Sequence, residues 1–195
     1  MKNKLMLVAF TMGKFEKIMK FSNVKTIPLF LCIGILSGCA NSYGATAIKK
    51  PATKIAAESK FYITQPKDGV YGNTNYVGSG KMTSSAISAE LSKKGVEVVV
   101  ADSVETIEGA KIRAVNVDAT YLFYTKILHW EDRATEWSGL SDKITMNYVI
   151  YEAITGKKVA STTASATSGW ATLGGDHPLD LVPKTVQDFL NAVFQ

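Results

Sequence analysis

The sequence predicts an α/β domain, a single sandwich in which a mixed sheet of about five strands carries about three helices. Three observations predict it. A dense β-branched run at residues 96–101, VEVVVA, lies between two stretches with helical spacing, the pattern that sets strands side by side in parallel. Residues 121–130, YLFYTKILHW, are apolar on both faces, as a strand at the centre of a sheet must be. Two alternating segments then meet at Thr155-Gly156-Lys157, where Gly supplies the positive φ of a hairpin turn. An α+β arrangement is the alternative reading of the same elements.

The order along the chain is β-α-β-α-β-β-β-α, with no internal repeat. Phe61-Tyr62-Ile63 is the first strand, followed by a Gly-rich loop from Gly69 to Gly80. A helix over 82–94 places Ile87 and Leu91 one turn apart, and Gly95 stops it. After the 96–101 strand, Ser103 can cap a second helix in which Val104, Ile107, Ala110 and Ala114 recur at helical spacing. In the central strand, Tyr121, Phe123 and Ile127 share one face, and Leu122, Tyr124 and Leu128 the other. Ile144, Met146, Tyr148 and Ile150 alternate with Thr145, Asn147 and Val149, and residues 159–167 return as a Thr/Ser/Ala-rich strand. Pro183 opens a last helix with Val186, Phe189, Leu190, Val193 and Phe194 on one face.

The N-terminus has a different character. Residues 27–38, IPLFLCIGILSG, carry no charge and are too few to span a bilayer, which takes about 20 residues. Lys14, Lys17, Lys20 and Lys25 precede this run, as basic residues precede the apolar core of an export signal. The run closes on Leu36-Ser37-Gly38-Cys39, a full lipobox. Residues 1–38 thus read as a lipoprotein signal peptide, and Cys39 as the acylated first residue of the mature chain. A signal of ordinary length already begins at Met19, which is the alternative start. Ala40, rather than Asp, follows the cysteine, so the expected location in a host with two membranes is the outer one, facing the periplasm. Residues 39–59 are small, polar and basic, and are expected to form a flexible tether with a reach of about 25 Å. Residues 60–195 make up the single domain.

This division changes what the charge means. The net charge of +5 comes from 22 basic and 17 acidic residues, of which six Lys and one Glu precede Cys39. The mature chain is therefore neutral, and its charge gives no reason to expect nucleic acid, whose binding needs a basic surface. Cys32 leaves with the signal and Cys39 is acylated, so no disulfide, thiol nucleophile or cysteine metal site remains. Around Gly80-Lys81 the phosphate-loop pattern fails: its first Gly falls at Asn75, and Met82 replaces the hydroxyl residue. The dinucleotide pattern fails at Thr83. No nucleotide and no cofactor is expected.

Candidate site residues emerge from where the rare residues fall. The chain's two His and three Trp lie in two segments, residues 129–139, HWEDRATEWSG, and 170–178, WATLGGDHP. One leaves the end of the central strand and the other leads into the last helix, positions where α/β sheets build sites. Three readings are open. His129, Glu131 or Asp132, Asp176 and His177 could ligate a metal such as Zn²⁺, although their spacing matches no metal motif. His and carboxylate could do acid–base work in a hydrolase acting on envelope material, although no nucleophile is evident. Or Arg133 pairs with a carboxylate, the Trp rings cover the sheet edge, and the surface either is structural or docks a partner, an envelope protein or a glycan, through His129, Trp130, Glu131, Asp132, Arg133, Glu136, Trp137, Trp170, Asp176 and His177. The third reading is preferred.

These same two motifs, KILHWEDRATEWSG from Lys126 and WATxGGDHPxDL from Trp170, resemble a family of single-domain proteobacterial lipoproteins of unknown function. The resemblance covers about residues 60–195. It implies an envelope location and a shared fold, and it brings no catalytic residues. The strand order is also similar to that of small outer-membrane lipoproteins that assist envelope machines, such as activators of cell-wall synthases.

Overall fold

The computed structural model describes residues 40–52, 54–133, 140–169 and 177–194. Its elements are β1 (Ser42–Ala45), β2 (Lys60–Gln65), β3 (Gly69–Tyr71), β4 (Thr74–Tyr76), α1 (Ser79–Ser92), β5 (Glu97–Val104), α2 (Ile107–Asn116), β6 (Tyr121–Glu131), β7 (Lys143–Glu152), β8 (Lys158–Thr167) and α3 (Pro178–Val193). From β2 onward the order is the expected one, with the small hairpin β3–β4 inserted in the Gly-rich loop.

Six strands form one mixed sheet in the order β1-β8-β7-β6-β2-β5. The helical crossovers join parallel strands, and β2 pairs in parallel with both β5 and β6. The remaining pairs, β6–β7, β7–β8 and β8–β1, are antiparallel. On one face lies the main core, where Phe61, Ile63, Phe123, Met146, Tyr148 and Ile150 meet Ile87 and Leu91 of α1 and Val186, Phe189 and Leu190 of α3. Its centre is aromatic: Phe123, Tyr148 and Phe189 lie within 6.0 Å of one another between ring centroids. Burial pushes the Tyr148 phenol well above its ordinary pKa, and its hydroxyl is satisfied by Thr185 at 2.8 Å. Among the described residues the other face carries α2, whose Ala110 and Ala114 sit on Tyr62 and Leu122.

Four local expectations are corrected. Within the segment read as a tether, Ser42–Ala45 pairs with β8, and Lys49 bridges to Ser161. This edge strand is held by main-chain hydrogen bonds while its four residues stay exposed, so no apolar pattern betrays it. Helix α2 is capped by Thr106, whose Oγ1 accepts from the Gly109 N–H at 3.1 Å, because β5 runs on through Ser103 to Val104. Helix α3 begins at Pro178 rather than Pro183, which lies inside it. Here the His177 ring accepts from the Leu179 N–H at 3.1 Å, and the Asp180 carboxylate accepts from the His177 N–H at 3.0 Å, so the earlier turn is fully capped.

The fourth correction positions the site. Leu128 was expected to be covered, but it is 55% exposed, because the β6–β7 register shifts between Ile127 and His129. In a strand, side chains alternate, so one extra residue exchanges the faces of all that follow. Phe123, Thr125 and Ile127 share the helix-covered side. Past the bulge it is Trp130, opposite Ile144, that enters the core, while His129, opposite Thr145, and Glu131, opposite Lys143, turn to the other face.

Candidate functional site

Glu131 ends β6 almost wholly out of water, with its side chain 4% exposed. His129, two residues back on the same face, brings Nε2 to 2.9 Å from Glu131 Oε2. Arg133, just past the strand, places Nε against Glu131 Oε1. Burial alone would raise the Glu131 pKa. The His129 hydrogen bond and the charges of Arg133 and Lys143 outweigh it and hold the carboxyl below the usual range.

The β3–β4 hairpin completes this cluster from the side. Tyr71 packs edge-on against the His129 ring at 5.3 Å, and the Arg133 guanidinium lies over the Tyr71 ring at 5.1 Å while also donating to its hydroxyl. The hairpin can lie so close because residue 69 is Gly: a Cβ there would overlap the Cβ of Trp130. The Arg133 N–H donates to Asp142 Oδ1 at 2.6 Å. The Asp142 N–H in turn donates to Ser168 Oγ at 2.9 Å, which ties the end of β6 to the end of β8.

The two sequence segments meet at Asp132. His177 Nε2 stands 3.6 Å from Asp132 Oδ2, and the His177 and Trp130 rings pack edge to face at 6.0 Å. The structure thus brings together His129, Trp130, Glu131, Asp132, Arg133 and His177. Trp130 is fully buried and Glu131 nearly so, so neither offers a contact to a partner; they form the floor beneath the others. Tyr71 is a member that sequence reading missed, because nothing in a short polar hairpin marks it. Cys39, Glu136, Trp137, Trp170 and Asp176 lie outside the described residues.

Among the described residues no three His, Cys, Asp or Glu side chains are placed to hold a metal. The Gly-rich loop offers no phosphate cradle either. The Asp68 carboxylate occupies the start of α1, accepting from the Gly78 N–H at 3.1 Å and the Gly80 N–H at 2.8 Å. An anion of the chain's own already fills the place where a phosphate would bind.

A mixed six-stranded sheet with helices packed on it, and this paired cluster at the end of β6, define an α/β domain. The chain belongs to the family described as Domain of unknown function (DUF4823), which matches residues 53–193. Among solved structures it is similar to the PelC dodecamer from Paraburkholderia phytofirmans, with a TM-score of 0.60 at 14% identity, covering 78% of this chain and 96% of that one. A variant of the same PelC gives a TM-score of 0.58 at 14% identity, over 78% and 98% of the two chains. Lipoprotein GNA1162 from Neisseria meningitidis gives 0.46 at 13% identity, over 68% and 96%. At such identities the likeness to PelC is one of fold. No curated protein matches the chain.

Proposed function

We propose that this chain is a lipid-anchored protein of the bacterial envelope, held through Cys39 in the outer membrane and facing the periplasm, whose domain acts by binding rather than by catalysis. Residues 1–38 act as the removable signal, and residues 60–195 carry the binding function. The anchor reading rests on the lipobox. Among the described residues no helix is long and apolar enough to cross a membrane.

The observation that carries the binding reading is how the cluster spends its polar atoms. The Glu131 carboxylate is taken up by His129 and Arg133, and His177 Nδ1 by the cap of α3. Among the described residues neither imidazole is hydrogen-bonded to a hydroxyl, the pairing that would activate a nucleophile. What the cluster presents outward is ring edges and a guanidinium stacked on Tyr71, groups favoured in contacts with proteins and glycans. The segments at 134–139 and 170–176, with Trp137 and Trp170, adjoin it in sequence.

A photo-crosslinking residue at Leu128 should give one discrete adduct in living cells, and the same residue at Ile154 none. Trp137→Ala should weaken that adduct and leave stability within about 0.5 kcal/mol, as for a surface substitution. Equal adducts from both positions, or an adduct indifferent to Trp137→Ala with stability intact, would remove the docking surface.

A further inference from the structure

The candidate site and residues 40–41, which follow the candidate anchor in sequence, lie at the same end of the sheet. Across that end Ser42 of β1 stands opposite Thr167 of β8, Thr167 opposite Lys143 of β7, and Lys143 opposite Glu131 of β6. Going backward from Ser42, the chain stays fixed for one more residue. Asn41 Oδ1 accepts from the Gly169 N–H at 2.9 Å, and Ser168, next to it, is the partner of Asp142 in the site's own network. Further along, the chain is stitched to β8 as well: the Thr46 N–H donates to the Thr163 carbonyl at 2.8 Å, and Lys49 pairs with Ser161.

Cys39 is thus two residues from a hydrogen-bonded position. Two residues span at most about 7 Å. The headgroup layer of one leaflet is about 6–7 Å deep. A chain acylated at Cys39 therefore has no slack with which to lift this end of the sheet off the membrane. The surface there suits headgroups. Leu140 and Leu128 are 49% and 55% exposed, with the exposed Lys143 and the partly exposed Arg133 beside them. Short apolar side chains with neighbouring cations fit the boundary between acyl chains and phosphates.

We propose that the end of the sheet bearing His129, Glu131, Arg133 and Leu140 is a membrane-apposed surface, pressed on phospholipid headgroups by a two-residue leash. This rests on the anchor reading above and adds an orientation to it. The β7–β8 hairpin at Thr155-Gly156 then points away from the bilayer, about 30 Å out along strands of ten residues. A partner of the site is met at headgroup level, not in the open periplasm.

Full-length protein purified from membranes, with a single fluorophore-bearing cysteine at Leu140 or at Ile154, is reconstituted into phosphatidylethanolamine–phosphatidylglycerol vesicles. The lipids carry headgroup nitroxides, which quench over short range, and the sulphur of Cys39 is occupied by its own thioether. The Leu140 label should be quenched at least about threefold more than the Ile154 label, given the length of the strands between them. Ten Gly/Ser residues inserted between Cys39 and Ala40, with a reach of about 17 Å, should erase most of that difference. Protein that floats with the vesicles but shows equal or reversed quenching overturns the orientation. A difference that survives the insertion overturns the leash as its cause. Protein that carries no acyl mass and does not float overturns the anchor reading instead, so the two failures are distinct.

Discussion

Glu131 lies almost wholly out of water between an imidazole and a guanidinium, and its carboxyl is held below the ordinary carboxylate range. Because its folded pKa lies below its unfolded one, its contribution to stability is complete above the unfolded value of about 4.3 and is lost as pH falls through the folded value. Acid unfolding of the wild type should therefore steepen below pH about 4. Glu131→Gln should flatten that limb and cost about 1.5–3 kcal/mol at pH 7, the worth of hydrogen bonds to a charged group. Equal acid limbs for the two proteins would show that the carboxylate is not held by His129 and Arg133. His177 is separable from it. As the cap of α3 it should tolerate His177→Asn, whereas His177→Ala should lose about 1 kcal/mol in chemical denaturation. Trp130→Ala, emptying a fully buried site, should cost about 3–5 kcal/mol.

At the scale of elements, the bulge in β6 decides which residues can form the site at all. Leu128→Ala removes an exposed side chain and should leave the melting midpoint within about 0.5 kcal/mol of wild type. Deleting Leu128 removes the extra residue and restores strict alternation, with Ile127 and His129 opposite the consecutive Met146 and Thr145; Trp130 keeps the core face, and the variant should still unfold cooperatively in a thermal melt. A deletion variant that loses its cooperative melt would show that Leu128 is not the extra residue of the strand. Much of the sheet was legible in the sequence because one buried face imprints a period of two on β7, and the turn at Thr155-Gly156 places its partner. The bulge was not legible, since a central strand with apolar residues on both faces reads equally well in either register. The hairpin β3–β4 and the edge strand β1 escaped for a related reason. They are held by backbone pairing and by the close approach at Gly69, neither of which leaves a hydrophobic pattern. The meeting of the two His/Trp segments was legible from their placement at strand ends. Tyr71 and Asp142, which complete that meeting, come from stretches with no distinguishing composition.

At the scale of the whole molecule, the domain must be held by its core alone. Beyond Cys39 the sequence contains no cysteine, so the thermal midpoint of residues 39–195 should be the same with and without dithiothreitol. A midpoint that shifts with reductant would contradict a fold without disulfides. Removing the signal should also bring the isoelectric point down from about 9.1 toward neutrality, since all of the net positive charge precedes Cys39. Both expectations depend on where the mature chain begins, and so do the membrane location and the two-residue leash. The most direct measurement is therefore the intact mass and the N-terminal peptide of the protein extracted from membranes. The account predicts a chain beginning at Cys39 with a diacylglycerol thioether, and for Cys39→Ser an unprocessed precursor that takes up no fatty-acid probe. A mature chain beginning elsewhere, or equal fatty-acid labelling of Cys39→Ser, would contradict it.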